Sequence, residues 1–214
     1  FVNSTFIAAA SAVLLAVLSA LVARYVASRD RRMRRVGAGI AMLGEMTYAI
    51  PGLVISVAFI LAFIKPLPVI GISIYNTLWI ILLAYVCAFF SIALKPVSAA
   101  FLQLDPALDE AARVAGAGFF RRMGRIALPL IAPAAASGAI LVFLTAYNEV
   151  TVSALLWSSG TETIGTTIFN YEDGGYTTLA SAMAAVTVIA TVALMALLDR
   201  LGRRAPAGVV PWRI

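Results

Sequence analysis

Long apolar runs alternate with short intervals that collect nearly all of the arginines, and no other feature of the 214 residues restricts the fold as much. A helix crossing a hydrocarbon core of about 30 Å needs about 20 mostly apolar residues. Five windows meet that requirement: residues 5–27, 46–64, 74–94, a run starting at Leu128, and 179–198. Arg24 stands near the end of the first, where its long side chain can reach the headgroups. Pro51, Pro129 and Pro133 would damage soluble helices, but in membranes neighbouring helices re-satisfy the freed backbone groups. The expected architecture is an all-α polytopic bundle of about five transmembrane helices.

Composition points the same way. The chain is 62% apolar and 12% charged, against about 45–50% and about 25% for ordinary soluble domains. A mean hydropathy of +0.98 excludes most soluble enzymes, disordered tails and secreted disulfide scaffolds. The absence of His removes imidazole metal sites and His-based triads. Cys87 is the single cysteine, and its apolar surroundings suggest a small buried thiol. The net charge of +6 does not indicate nucleic acid, because the basic residues fall between apolar runs and not on one face.

Those basic residues give an orientation. Arg24, Arg29, Arg31, Arg32, Arg34 and Arg35 follow the first window; Lys95, Arg113, Arg121, Arg122 and Arg125 follow the third; Arg200, Arg203, Arg204 and Arg213 follow the fifth. Only Lys65 lies on the other side, with Glu162, Glu172 and Asp173. The excess of Lys and Arg marks the cytoplasm, so the N-terminus of this segment is expected outside and the C-terminus inside. Phe1 opens the chain and its positive charges come after the apolar stretch, the reverse of a signal peptide. Residues 1–214 are therefore expected to form a single domain, the C-terminal part of a longer membrane protein.

The interval 95–127 is longer than the usual helix connection of about 2–8 residues. Asp105-Pro106 reads as an N-cap followed by Pro at the first helical position. Asp109 and Glu110 then occupy early turns, where the helix dipole favours carboxylates. Leu108, Ala111, Ala112 and Ala115 form a small-residue face, interrupted by Gly116 and Gly118. A second short helix over 119–126 would pair Phe119, Phe120, Met123 and Ile126 with three arginines along the headgroups. A surface-lying connector accounts for this pattern. An alanine face without bulky residues also suits close packing in another protein's groove.

Glu110-Ala111-Ala112, then Gly116, then Ile126-Ala127-Leu128-Pro129 resemble the EAA–G–I-LP signature of ABC importer permeases, at the family's spacing. The chain is thereby similar to the type I, MetI-like permease domain over nearly its whole length. The resemblance implies that the loop is a coupling helix docking on an ABC ATP-binding subunit, with Glu110, Ala111, Ala112 and Gly116 in contact and Ile126, Leu128 and Pro129 completing the motif. It also implies a second permease domain, on the same or another chain, and a periplasmic or lipoprotein solute-binding protein. The setting would be the bacterial inner membrane. A P-loop needs G-x-x-x-x-G-K-[ST], whereas Lys65 and Lys95 are each followed by Pro. No cofactor or metal is expected on this chain; ATP and Mg would sit on the partner subunit.

Two positions are candidates for the translocation path. Residues 128–157 carry one charge, Glu149, and a straight helix of that length would measure about 45 Å. A break near Tyr147-Asn148-Glu149 is expected, and resemblance to iron- and oxyanion-type permeases, which carry a Glu in a similar segment, implies that Asn148 and Glu149 lie near a gate; capping a helix end or bonding a neighbouring helix would explain Glu149 equally well. Glu45 is expected at the cytoplasmic edge of the second span. The outer segment 158–178, with a short helix over 163–170, could meet a binding protein or simply form an aromatic belt. The stretches 147–153 and 49–52 look most like iron(III)-type permeases; phosphonate, polyamine, sulfate and thiamine relatives are also similar. An ATP-independent transporter or channel would spread charges through several spans, and a membrane scaffold would need no path.

Overall fold

The computed structural model describes residues 1–66, 71–206 and 208–213. Among these the chain is helical throughout, without strands. Helix α1 (Val2–Val26), α4 (Leu78–Gln103) and α7 (Leu128–Tyr147) pack on one another as the central bundle. α1 buries a stripe of small side chains, Ser4, Ala8, Ser11, Ala12, Ser19 and Ala23 among them. In a membrane, small residues let helix backbones approach closely enough for dispersion to hold them. Gly138 of α7 serves the same end, since a Cβ there would lie 3.2 Å from the Ala93 carbonyl oxygen and from Pro96 of α4. The largest buried side chains of this core include Tyr85, Ile7, Leu15, Ile80 and Ile131.

The expected second span does not form a single helix. α2 (Arg31–Tyr48) and α3 (Gly52–Phe63) meet at 111°, so the described residues contain four helices long and apolar enough to cross a membrane plus this bent pair. Proline causes the break: Pro51 lacks an N–H and pushes the preceding residue out of the α region, and α2 stops with Ala49 as its C-cap. α2 starts where the Asp30 carboxylate accepts from Arg32 N at 2.8 Å. Its close approach to α1 depends on Gly37, where a Cβ would come within 2.7 Å of the Tyr25 backbone carbon. Glu45 lies in the last turn of α2, with its carboxylate 4.0 Å from Lys95 Nζ of α4.

Other boundaries differ for similar reasons. α4 continues through Lys95 and Pro96 to Gln103, nine residues past the expected end of the third span at 94, so the polar loop begins only at Leu104. α5 (Pro106–Val114) follows as read, with the Asp105 carboxylate accepting from Ala107 N at 2.8 Å. The second loop helix is not separate. α6 (Phe119–Arg122) passes through a π-turn at Met123–Ala127 directly into α7, giving one helical run from Phe119 to Tyr147. The remaining elements are α8 (Ile164–Asp173), capped by Thr163, and α9 (Thr177–Leu201). α9 buries only Ala180 and Thr187. Cys87 is exposed on the outer face of α4, contrary to the buried thiol expected from composition.

Candidate functional site

The arginines gather at one end of the bundle. Arg24 at the close of α1, Arg29 in the α1–α2 elbow, Arg113 of α5 and Arg122 of α6 surround a cavity of about 560 Å³ beneath α5. Asp109 receives three of them on one oxygen: Arg122 Nη1 donates to its Oδ2 at 2.9 Å, Arg113 Nε stands at 3.2 Å and Arg24 Nη2 at 3.9 Å. Glu110, one residue on, turns to the side and pairs with Arg29. None of these partnerships was visible in the sequence, which placed the charges without their neighbours.

α5 itself has no buried residue. Glu110 and Ala111 are exposed and Ala112 is half-buried, a helix face open to a partner. The helix ends in a Schellman motif: Ala117 N donates to Ala112 O and Gly116 N to Arg113 O, both at 2.9 Å, with Gly116 at φ +76°. Nothing lies within 4 Å of where a Gly116 Cβ would be, so the glycine is required for its conformation and not for space. Farther along, Ile126 is half-buried while Leu128 and Pro129 are exposed where α7 begins. The surface is less uniformly small than the alanines suggested. Val114 of α5 is 91% exposed and Phe120 of α6 88% exposed, two bare apolar side chains in the same loop.

A second constellation forms at the far end of α7. The helix stops at Tyr147, within the stretch where a break was expected, and Asn148 is its C-cap. Asn148 is exposed, donating from Nδ2 to Leu144 O at 2.9 Å and accepting from Thr191 Oγ1 of α9 at 3.0 Å. Glu149 organises the turn that follows. Its Oε1 accepts from Val152 N at 2.7 Å and Thr151 Oγ1 at 2.8 Å, and its Oε2 from Ser153 N at 3.1 Å and Ser153 Oγ at 3.3 Å. This is the capping geometry that the sequence left open beside a gate.

The two stretches singled out in the sequence, 49–52 and 147–153, meet here. Gly52 at the start of α3 lies against Thr151, and a Cβ would come within 3.0 Å of Thr151 Cβ and 3.1 Å of Val152 Cγ2. Ser56 of α3 donates to the Val152 carbonyl at 2.6 Å. On the opposite side Gly165 of α8 sits so near that a Cβ would be 3.0 Å from the Glu149 backbone carbon. The Tyr85 hydroxyl is buried beside Glu149 and Ser153 without a well-aligned hydrogen bond to either. Ser56 and Tyr85 carried no signal in the sequence, because each reads as an ordinary residue of an apolar run, and Gly165 reads only as one of several glycines in the outer segment. Among the described residues no cluster of His, Cys, Asp and Glu could hold a metal ion.

Residues 12–207 match the family model described as binding-protein-dependent transport system inner membrane component. The chain is similar to the ferric transport system permease protein FbpB of Actinobacillus pleuropneumoniae, 27% identical over 92% of this chain and 28% of FbpB. It is also similar to PhnV of Salmonella typhi, a permease assigned to 2-aminoethylphosphonate transport, 26% identical over 77% of this chain and 61% of PhnV. It thus spans less than two thirds of either relative. A crystal structure of a bacterial alginate ABC transporter, bound to a periplasmic protein carrying an alginate pentasaccharide, contains a chain with the same fold: TM-score 0.74 at 17% identity, over 95% of this chain and 77% of that one.

Proposed function

Because the chain belongs to the binding-protein-dependent transport system inner membrane components, and has the all-α fold of MetI-like ABC permeases, we propose that it is one permease half of an ATP-driven importer. In this reading ATP and Mg bind a separate ATPase subunit, which grips α5 through Glu110, Ala111, Ala112 and the Gly116 turn. The observation that carries the proposal is α5 itself: a capped, sharply terminated helix with no buried residue, standing off the bundle at its arginine-rich end. A helix that buries nothing in its own chain gains its packing from a partner. The arginine-rich end is then cytoplasmic by the positive-inside rule, and α8 faces the solute-binding protein.

Alternating access requires that the docked loop make different contacts in the two states. Asn148 and Glu149 stand where α7 breaks against the start of α3, the kind of paired helix interruption at which transporters place their path. We assign Asn148 and Glu149 to the gate region, Glu149 as organiser of the turn. Iron(III) is the first cargo to test, since similarity to FbpB extends over 92% of the chain; phosphonate is the second, from PhnV.

The test is extraction in mild detergent and purification through a tag on this chain. An ATPase subunit should accompany it, and Glu110→Lys should release that subunit. A wild-type chain that purifies without an ATPase, while still transporting, would place it among ATP-independent carriers. Retention of the ATPase by Glu110→Lys would remove Glu110 from the docking face. Uptake of radiolabelled iron(III) or 2-aminoethylphosphonate by the reconstituted complex then decides between the cargoes.

A further inference from the structure

Resting on the reading of α5 as the docking helix, we propose that Asp109 is a positioning residue that clamps α5 to the bundle, so that movement of α5 passes directly into α1 and α6. α5 buries no side chain, so apolar packing does not attach it. Apart from its covalent ends, it is held by charge: Glu110 to Arg29, and Asp109 to Arg24 and Arg122, while Arg113 pairs with Asp109 within α5 itself. The two acidic residues differ in what surrounds them. The Glu110 and Arg29 side chains are 56% and 70% exposed, where ion pairs contribute little. Asp109 is 38% exposed and Arg122 only 12%, so that pair is shielded from water and its attraction less screened.

The Asp109 partners also span three elements. Arg24 closes α1, in the last turn where the dipole favours a cation. Arg122 belongs to α6, continuous with α7. One carboxylate oxygen therefore ties the loop helix to two of the three central helices. The neighbouring Glu110, whose pair with Arg29 is exposed and weak, is the carboxylate a partner can take over, and a push on α5 moves α1 without first bending the connections at Leu104 and Gly116.

The test uses the complex with its ATPase subunit, in a Cys87→Ser background. Spin labels are placed through Leu21→Cys on the exposed face of α1 and Ala107→Cys on the first turn of α5. The parent should give a narrow distance distribution that keeps its width when ATP and vanadate are added. Asp109→Asn should broaden it while the ATPase subunit still co-purifies in the parent amount, and ATP-driven transport should fall on the order of tenfold, a usual size for coupling between sites. Arg24→Gln should broaden it less, because Arg122 still holds Asp109, and should add no further loss to Asp109→Asn in the double variant, because its contact is already removed there. An unchanged distribution in Asp109→Asn overturns the clamp, as do additive losses in the double variant. Release of the ATPase by Asp109→Asn would make Asp109 a docking residue and also overturn it. Failure of the wild-type chain to retain any ATPase would instead refute the docking reading, and the distance distributions still judge the clamp.

Discussion

Replacing Glu149 by Ala tests what the single charge in 128–157 does. Four donors converge on its carboxylate, two of them the backbone N–H groups of Val152 and Ser153. Those N–H groups sit on residues that are 3% and 0% exposed, so water cannot replace the lost acceptor. Each stranded buried donor costs about 1–3 kcal/mol, and two together give about 2–6 kcal/mol in Glu149→Ala. Glu149→Gln keeps one carbonyl oxygen and turns an NH₂ toward the second N–H, so it should lose about half as much, roughly 1–3 kcal/mol. The assay is reversible unfolding of the purified complex in mixed micelles, followed by loss of helix signal. The order wild type, Gln, Ala with comparable steps is the expected result. If Glu149→Ala is as stable as wild type yet loses transport, the carboxylate serves the moving cargo and the capping argument is refuted.

Gly116→Ala forces an L-residue to φ +76°, at a cost of about 1–2 kcal/mol; it should weaken ATPase retention in pull-downs with little change in thermal stability, and Gly116→Asn should restore most of it. Gly37→Ala places a methyl within 2.7 Å of the α1 backbone and should lower the unfolding temperature of the complex by separating α2 from α1, whereas Gly39→Ala, with open space around it, should not. Equal effects of the two substitutions would refute the close-packing role of Gly37.

The architecture was legible wherever local chemistry had no competitor. Four of the five apolar windows became long helices because an uncharged run of that length has no other way to satisfy its backbone in lipid. Asp105-Pro106 started α5 where it should, and Gly116 ended it, since a cap and a left-handed turn depend on a few adjacent residues. The end of α7 at Tyr147 falls at the Tyr147-Asn148-Glu149 stretch, where polar residues interrupt the apolar run. Expectations failed where two local rules opposed each other. Pro96 was absorbed within α4, with Gly138 of α7 close against it, whereas Pro51 split the second window. Pro51 is followed by Gly52, a turn-favouring pair, whereas Pro96 is followed by Val97.

The sequence by itself determined the helices, their caps, the all-α class and the motif-bearing loop, because each depends on residues within one or two turns. Only the tertiary structure decided which carboxylate turns inward. Asp109 and Glu110 are adjacent and chemically alike, yet one gathers Arg24, Arg113 and Arg122 while the other faces Arg29. It likewise brought Gly52 and Ser56, about a hundred residues away in sequence, and the nearer Gly165 onto the turn that Glu149 organises. The strength of a charge pair or a close contact is set by distance and solvent exclusion, and both are properties of packing that no local pattern encodes.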